Sequence, residues 1–379
     1  MLKFHTAGES HGMYLVGILE GIPAGLKLNL DYINSMVLLR KRGYGRGKRM
    51  NFEEDKPEFF GGLTRDNITT GAPIGFRVRN IDWEKGGRGK FSSIPRPGHS
   101  DFSGSIKYDF ENLYLPAERA SGRLTVLDVI AGSICILFLK EFEVETYFFV
   151  TSVGGVSIPI EHSDGVDAIF KKAISSSVLV PFPEFEEKIM GEINHAIKEK
   201  DSLGGSGLVI LKGVPAGLGD YNRWDKRIDG LIAQAIMSIP SVKAVEIGEG
   251  IESSRFKGSE FHDPFFIRGG KILRGSNNAG GIEGGITNGE DIIVKFYAKP
   301  IPTVRRGVPS VNFKEFKEVK SSYVRSDTVV IPAVSLIVAS RVSFVIASTF
   351  LDKFGGDHIK DIKDSFNSYI NSRRRFWQR

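Results

Sequence analysis

Two short segments of this chain carry residue types that could move protons. Thr6-Ala7-Gly8-Glu9-Ser10-His11-Gly12 sets an acid, a hydroxyl and an imidazole between two glycines, just ahead of an apolar run. Arg96-Pro97-Gly98-His99-Ser100-Asp101 fixes a second imidazole behind Pro and Gly, with a carboxylate two residues on. Imidazole exchanges protons near neutral pH and glycine lets backbone approach a ligand, so each segment suits general acid–base work. Each also suits a plain turn, and residue types alone leave both readings open.

Other segments suit anions. Residues 40–49 place six cations within ten positions, interleaved with glycines that let guanidinium groups converge. The alternatives are a solvated charge run neutralised by Glu53, Glu54 and Asp55, or an RNA-binding loop, although one tyrosine offers little stacking surface. The run from Gly275 to Gly289 is rich in small residues and amides, which suits backbone wrapped around a planar or phosphorylated ligand. Lys299-Pro300-Ile301-Pro302-Thr303 then puts a cation and a hydroxyl on stiffened backbone, which suits phosphate.

Positioning these loops requires a mixed α and β scaffold. Apolar periodicity predicts helices over residues 30–42, 118–142, 182–200, 225–239 and 328–351. Alternation and β-branched residues predict strands over 13–22, 73–80, 147–158, 206–214, 244–251 and 291–298. The long polar connections 42–56, 80–102, 274–289 and 298–310 fall between them, where functional loops are expected. No linker separates two halves, so one large domain over 1–379 is expected. Residues 328–351 could span a membrane by length, but Arg341 and Pro332 inside them favour a buried helix.

Composition narrows the classes. With 41% hydrophobic residues in 379 positions the chain can bury a large core, and its net charge of +6 suits an anionic partner without singling out nucleic acid. The single cysteine, Cys135, allows no internal disulfide and sits in an apolar run, where a buried inert thiol is expected. There is no GxxxxGK[ST] loop, and the GxG in residues 203–211 runs from helix to strand, which argues against a Rossmann dehydrogenase. Metal-ligand spacings are missing, so no metal is expected.

Taken in order, GESHG at 8–12, RPGHSD at 96–101, SGRLT at 121–125, SNNAGGIEGGITNG at 276–289 and RSD at 325–327 resemble the chorismate synthase family across nearly the whole chain. The resemblance implies an α+β fold, a β-α-β sandwich-like single large domain. It implies a lyase that converts 5-enolpyruvylshikimate 3-phosphate to chorismate by 1,4-elimination in the shikimate pathway. Reduced FMN is the implied cofactor, with NADPH as an optional reductant. A cytoplasmic homotetramer is implied, acting on a small molecule and not on nucleic acid or membrane. By resemblance His11 donates a proton to the departing phosphate with Ser10 beside it, His99 protonates or stabilises the reduced flavin, and Asp327 takes a proton from flavin N5. Arg119, Ala120, Ser121, Pro240, Ser241, Gly284, Lys299 to Thr303 and Arg325 match the family's FMN positions, while Arg40 and Arg46 match arginines assigned to NADP that could equally serve substrate.

The chain departs from the family pattern in places. Ala120 replaces a serine of the Arg-Ser-Ser element, and Leu124 stands where most members have a carboxylate. Ser326 and Thr328 replace His and Pro of Arg-His-Asp-Pro, and Lys41-Arg42-Gly43 replaces Arg-Arg-Pro-Gly. None removes His11, His99 or Asp327, so an active enzyme is expected.

Overall fold

The computed structural model describes residues 2–47, 53–84, 91–159, 165–321 and 327–376. The elements run in the order β1 (Lys3–Ala7), β2 (Tyr14–Glu20), α1 (Leu30–Lys41), β3 (Pro57–Gly61), β4 (Ile74–Arg79), α2 (Ile81–Glu84), α3 (Asp101–Tyr108), α4 (Tyr114–Arg119) and α5 (Thr125–Lys140). Next come β5 (Glu145–Val153), β6 (Val156–Ser157), α6 (Val166–Ser175), α7 (Pro183–Glu199), β7 (Gly205–Lys212), α8 (Ile228–Met237), β8 (Val242–Ile247) and α9 (Gly258–Phe261). The chain ends with three hairpin pairs and their neighbours: β9 (Phe265–Arg268), β10 (Lys271–Arg274), β11 (Ile282–Glu283), β12 (Ile286–Thr287), β13 (Ile292–Ala298), β14 (Pro309–Asn312), β15 (Lys317–Lys320), α10 (Ile331–Phe354) and α11 (Ile359–Arg373).

Two antiparallel sheets enclose a helical layer. One sheet has the order β1-β2-β4-β3 and the other β6-β5-β7-β13-β8. Helix α5 packs on β2 of the first and β5 of the second, while α10 lies against α5, α1, α8, β5 and β7. This is the expected β-α-β sandwich, and one continuous apolar core runs through all three layers. The second sheet is also covered on its far side by α6, where Tyr147, Phe149, Leu208, Ile210 and Ile293 pack. Burial of both faces explains why β5 and β7 read as unbroken apolar runs without alternation.

The helices owe their places to small residues and buried pairs. Helix α5 is apolar nearly all round, as a helix enclosed by protein must be. Its Gly132 lies so close to α10 that an added Cβ would sit 2.2 Å from the Cβ of Ser340. Pro332 occupies the first turn of α10, where its missing N–H costs nothing. Arg341 reaches Asp128 of α5 at 2.8 Å, so the charge that weakened a membrane reading is an interhelical pair. Protein buries 78% of the most apolar window of α10, as expected for a core helix. Cys135 is fully buried, and burial pushes its thiol up, in keeping with an inert residue.

One expected helix is broken. Residues 118–142 divide into the end of α4, an extended Ser121 and then α5, because the Ser121 hydroxyl caps the turn at Arg123 N–H. That break turns Ser121 toward the loop between β1 and β2.

Candidate active site

The β1–β2 loop is held from three sides. Asn80, buried at the end of β4, donates to the carbonyls of Glu9 (3.2 Å) and Gly12 (2.6 Å), so its amide spans the loop. Its own carbonyl accepts from Arg123 Nε at 3.0 Å. Arg119 donates to the carbonyls of Thr6 and Gly8, and Ser121 Oγ donates to Ser10 Oγ at 3.1 Å. Gly8 is required here: its φ is +100° and a Cβ would lie 2.3 Å from the Tyr14 carbonyl.

His11 projects from this loop between carboxylates. Glu118 Oε1 is 2.6 Å from Nδ1 and Glu118 Oε2 accepts the His11 backbone N–H at 2.7 Å. The Tyr114 hydroxyl lies 2.8 Å from Nδ1, and Asp82 Oδ2 is 3.3 Å from Nε2. Burial acts to raise the Glu118 carboxyl, but hydrogen bonds and charge from His11 and the Tyr114 hydroxyl outweigh it, leaving it below the usual range. An ionised Glu118 accepts from Nδ1–H, so Nε2, which meets Asp82, is the nitrogen placed to exchange a proton.

His99 repeats this arrangement. Its Nδ1 lies 2.6 Å from Asp101 Oδ1, and Arg96 grips both Asp101 oxygens at 2.8 and 2.9 Å. Burial tends to raise Asp101, yet the bonds from His99 and Arg96 hold it well below the ordinary carboxylate range. The loop is pinned by Lys299 Nζ to the Gly98 carbonyl, by Arg96 toward Thr303 Oγ1 at 3.4 Å and by Ser310 Oγ to the Pro95 carbonyl at 2.6 Å. Helix α3, which starts at Asp101, packs on α4, which carries Tyr114 and Glu118. The helix that holds His11 thus packs against the helix that begins beside His99.

A buried ion network backs the first cluster. Arg40 is 3% exposed and bonds to Thr125 Oγ1 and the Gly122 carbonyl, with Asp55 at 3.7 Å. Burial lowers its guanidinium to about 10 despite Asp55. Asp55 also pairs with Arg123, which has Glu53 at 3.6 Å. The acids after the basic loop therefore do neutralise part of it, and Arg40 is engaged with protein groups. Arg46 Nη1 pairs with Asp327 at 2.8 Å, and the Gly47 N–H donates to the same carboxylate. Lys48 and Arg49 lie outside the described residues, as does Arg325.

The remaining candidates divide. Ser241 follows the exposed Pro240 and accepts Lys299 N–H at 2.9 Å while holding φ at +77°, a costly value for a non-glycine residue. Pro300, Ile301 and Pro302 continue from there, with the Ile301 carbonyl accepting from Ser202 Oγ. Ala120 closes α4 beside Ser121. Gly284 is at an exposed turn with nothing near it. Around it, the amide-rich run is engaged internally: Asp263 accepts from Ser276, Asn278 and Ala279, and Asn277 bridges Gly281 to the Asp291 carbonyl. Residues 276–281 are therefore tied together by their own hydrogen bonds, and Gly280 is there because Gly248 backbone crosses within 2.3 Å of where its Cβ would be.

Charge favours an anionic ligand. Among the described residues, Arg119, Lys243 and Lys299 have no carboxylate partner. Lys299 is lowered first by burial and then by Lys243. Two like charges near one another, with no carboxylate partner among the described residues, form a place where a phosphate would relieve repulsion.

Tyr114, Glu118, Asp82, Asn80 and Arg96 were not legible as site residues. Tyr114 and Glu118 are spaced i, i+4 just before Arg119, a pattern that puts both on one helical face and could have marked them.

The family model for chorismate synthase matches residues 2–351. A chorismate synthase of Caldicellulosiruptor saccharolyticus is 43% identical over 376 residues, covering 96% of this chain and 98% of its own. That of Aquifex aeolicus is 41% identical over 394 residues, covering 99% of each. A crystal structure of chorismate synthase superposes with a TM-score of 0.81 at 37% identity, covering 98% of both chains. The carboxylate-held histidines thus stand on a scaffold shared from end to end, and the chain belongs to the chorismate synthase family, lyases that eliminate phosphate from 5-enolpyruvylshikimate 3-phosphate to form chorismate in the shikimate pathway.

Proposed function

We propose that the chain carries out this elimination with His11 as proton donor to the departing phosphate, His99 as the second proton-transferring group and reduced FMN as cofactor. The observation that carries the assignment is the matched pair of histidines, each with Nδ1 held by a carboxylate. Ser10 and Ser121, joined by their hydroxyls, line the His11 loop where the substrate approaches. Asp327, held by Arg46, would take a proton from the flavin at its carboxylate.

Lys299 and Thr303 are the residues that would hold the FMN phosphate, with Pro300, Ile301 and Pro302 setting their spacing. Arg119, Ala120, Ser121, Pro240, Ser241, Gly284 and Arg325 complete the proposed cofactor set. When bound, reduced FMN supplies electron density as phosphate leaves and takes it back, so the reaction has no net redox change. Arg46, whose buried Nε has no hydrogen-bond partner among the described residues, is assigned to substrate. Burial of Arg40 favours an outside electron source over NADPH bound at that residue. The cytoplasm and a homotetramer complete the reading, which rests on the family.

The test is an anaerobic assay of 5-enolpyruvylshikimate 3-phosphate with chemically reduced FMN. Chorismate and phosphate appear together only when the flavin is reduced. Turnover with oxidised FMN or with none contradicts the proposal.

A further inference from the structure

We infer that Glu118, supported by Tyr114, is the positioning residue that makes His11 a directional proton donor. The inference rests on the proposed role of His11. One carboxylate grips one histidine twice: Oε2 takes the His11 backbone N–H at 2.7 Å and Oε1 takes the ring Nδ1 at 2.6 Å. Fixing backbone and ring from the same group sets the ring's orientation as well as its tautomer, because Nδ1 must carry the proton that Glu118 accepts. Nε2 is then the atom that gives and regains a proton.

Tyr114 completes the hold. Its hydroxyl sits 2.8 Å from the same Nδ1 and also hydrogen-bonds Glu118. Nδ1 has one site, already directed at the carboxylate, so the hydroxyl serves Glu118 and keeps it aimed at the ring. Tyr114 and Glu118 begin and nearly end α4, whose Pro116 packs within 2.5 Å of a Cβ placed on Gly104 of α3. That contact leaves α4 little room to shift. Among the described residues, Glu118 and Tyr114 from α4 and Asp82 from α2 are charged or titratable groups that meet the imidazole. Asp82 is the more exposed carboxylate of the pair, at 18% against 10% for Glu118, and it meets Nε2 where the phosphate would arrive. Glu118 is therefore the fixed partner and Asp82 the displaceable one.

The experiment compares Glu118→Gln, Tyr114→Phe, His11→Ala and the double variant Glu118→Gln/His11→Ala, using full-length protein, reduced FMN and the phosphorylated substrate. Glu118→Gln should lower kcat about 10- to 100-fold, the scale seen when a group orienting a histidine is lost, with KM and FMN affinity near wild type. Its kcat–pH profile should also shift from that of wild type, since the amide lacks the charge with which Glu118 holds Nδ1–H. Tyr114→Phe should show the same shift more weakly, and it carries the test if Glu118→Gln does not fold. In the His11→Ala background, Glu118→Gln should cost nothing further, because its effect passes through the imidazole. An unshifted pH profile, or an equal additional loss in the double variant, overturns the inference. Wild-type turnover by His11→Ala would instead overturn the role of His11 itself.

Discussion

At the scale of single residues, the two histidines were legible because an imidazole flanked by glycine or proline is an uncommon pattern with a direct chemical use. Their partners were less so. Asp101 is two residues from His99 and could be guessed, whereas Glu118 lies 107 positions from His11 and only the fold brings them together. His11→Ala should lower turnover by about 10² to 10⁴, the range for a positioned acid, while FMN binding measured by fluorescence titration stays unchanged. Lys299→Ala should do the reverse, weakening FMN binding because Thr303 alone cannot replace the charge; equal affinity would remove Lys299 from the phosphate site. Asp101 gives a pH dependence with a definite sign. Its folded pKa is depressed, so its bonds to Arg96 and His99 contribute stability that is fully present above the unfolded value near ~4 and is lost as pH falls below it. Thermal unfolding should therefore show Asp101→Asn less stable than wild type at pH 7, with the gap closing toward pH 3. A constant gap would assign the loss to packing.

At the scale of elements, long apolar periodicity was the dependable signal. Helices α1, α7, α8 and α10 lie close to where their patterns put them, and the strands of the second sheet do likewise. The expected helix over 118–142 failed at Ser121, since an apolar pattern continues across a serine that the backbone uses as a cap. Strands β1 and β3 went unread because each is five residues long and half exposed, with little pattern to detect. Helix α11 was missed for a related reason, being polar with only Ile359 and Ile362 buried. The glycine-rich run, read as a ligand cradle, also holds tight backbone crossings, a detail that composition does not carry. The α5–α10 crossing gives the sharpest prediction at this scale. Gly132→Leu should destabilise the protein by about 1–3 kcal/mol or more, the usual cost of overpacking, because Ser340 backbone stands 2.5 Å from the new Cβ. An unchanged melting temperature would show that the two helices can separate.

At the scale of the whole molecule, the fold links segments from distant parts of the sequence. The β1–β2 loop is held by α4, α4 packs on α3, and the segment after β13 pins the loop that carries His99. Fold class and family were legible from motifs in series, although each motif alone suited an ordinary turn. The account depends on those loops sharing one anion-binding cavity. A crystal structure with FMN and 5-enolpyruvylshikimate 3-phosphate bound tests it most directly. It should place the substrate phosphate within hydrogen-bond distance of His11 Nε2 and the FMN phosphate at Lys299 and Thr303. Both phosphates bound away from these residues would contradict it.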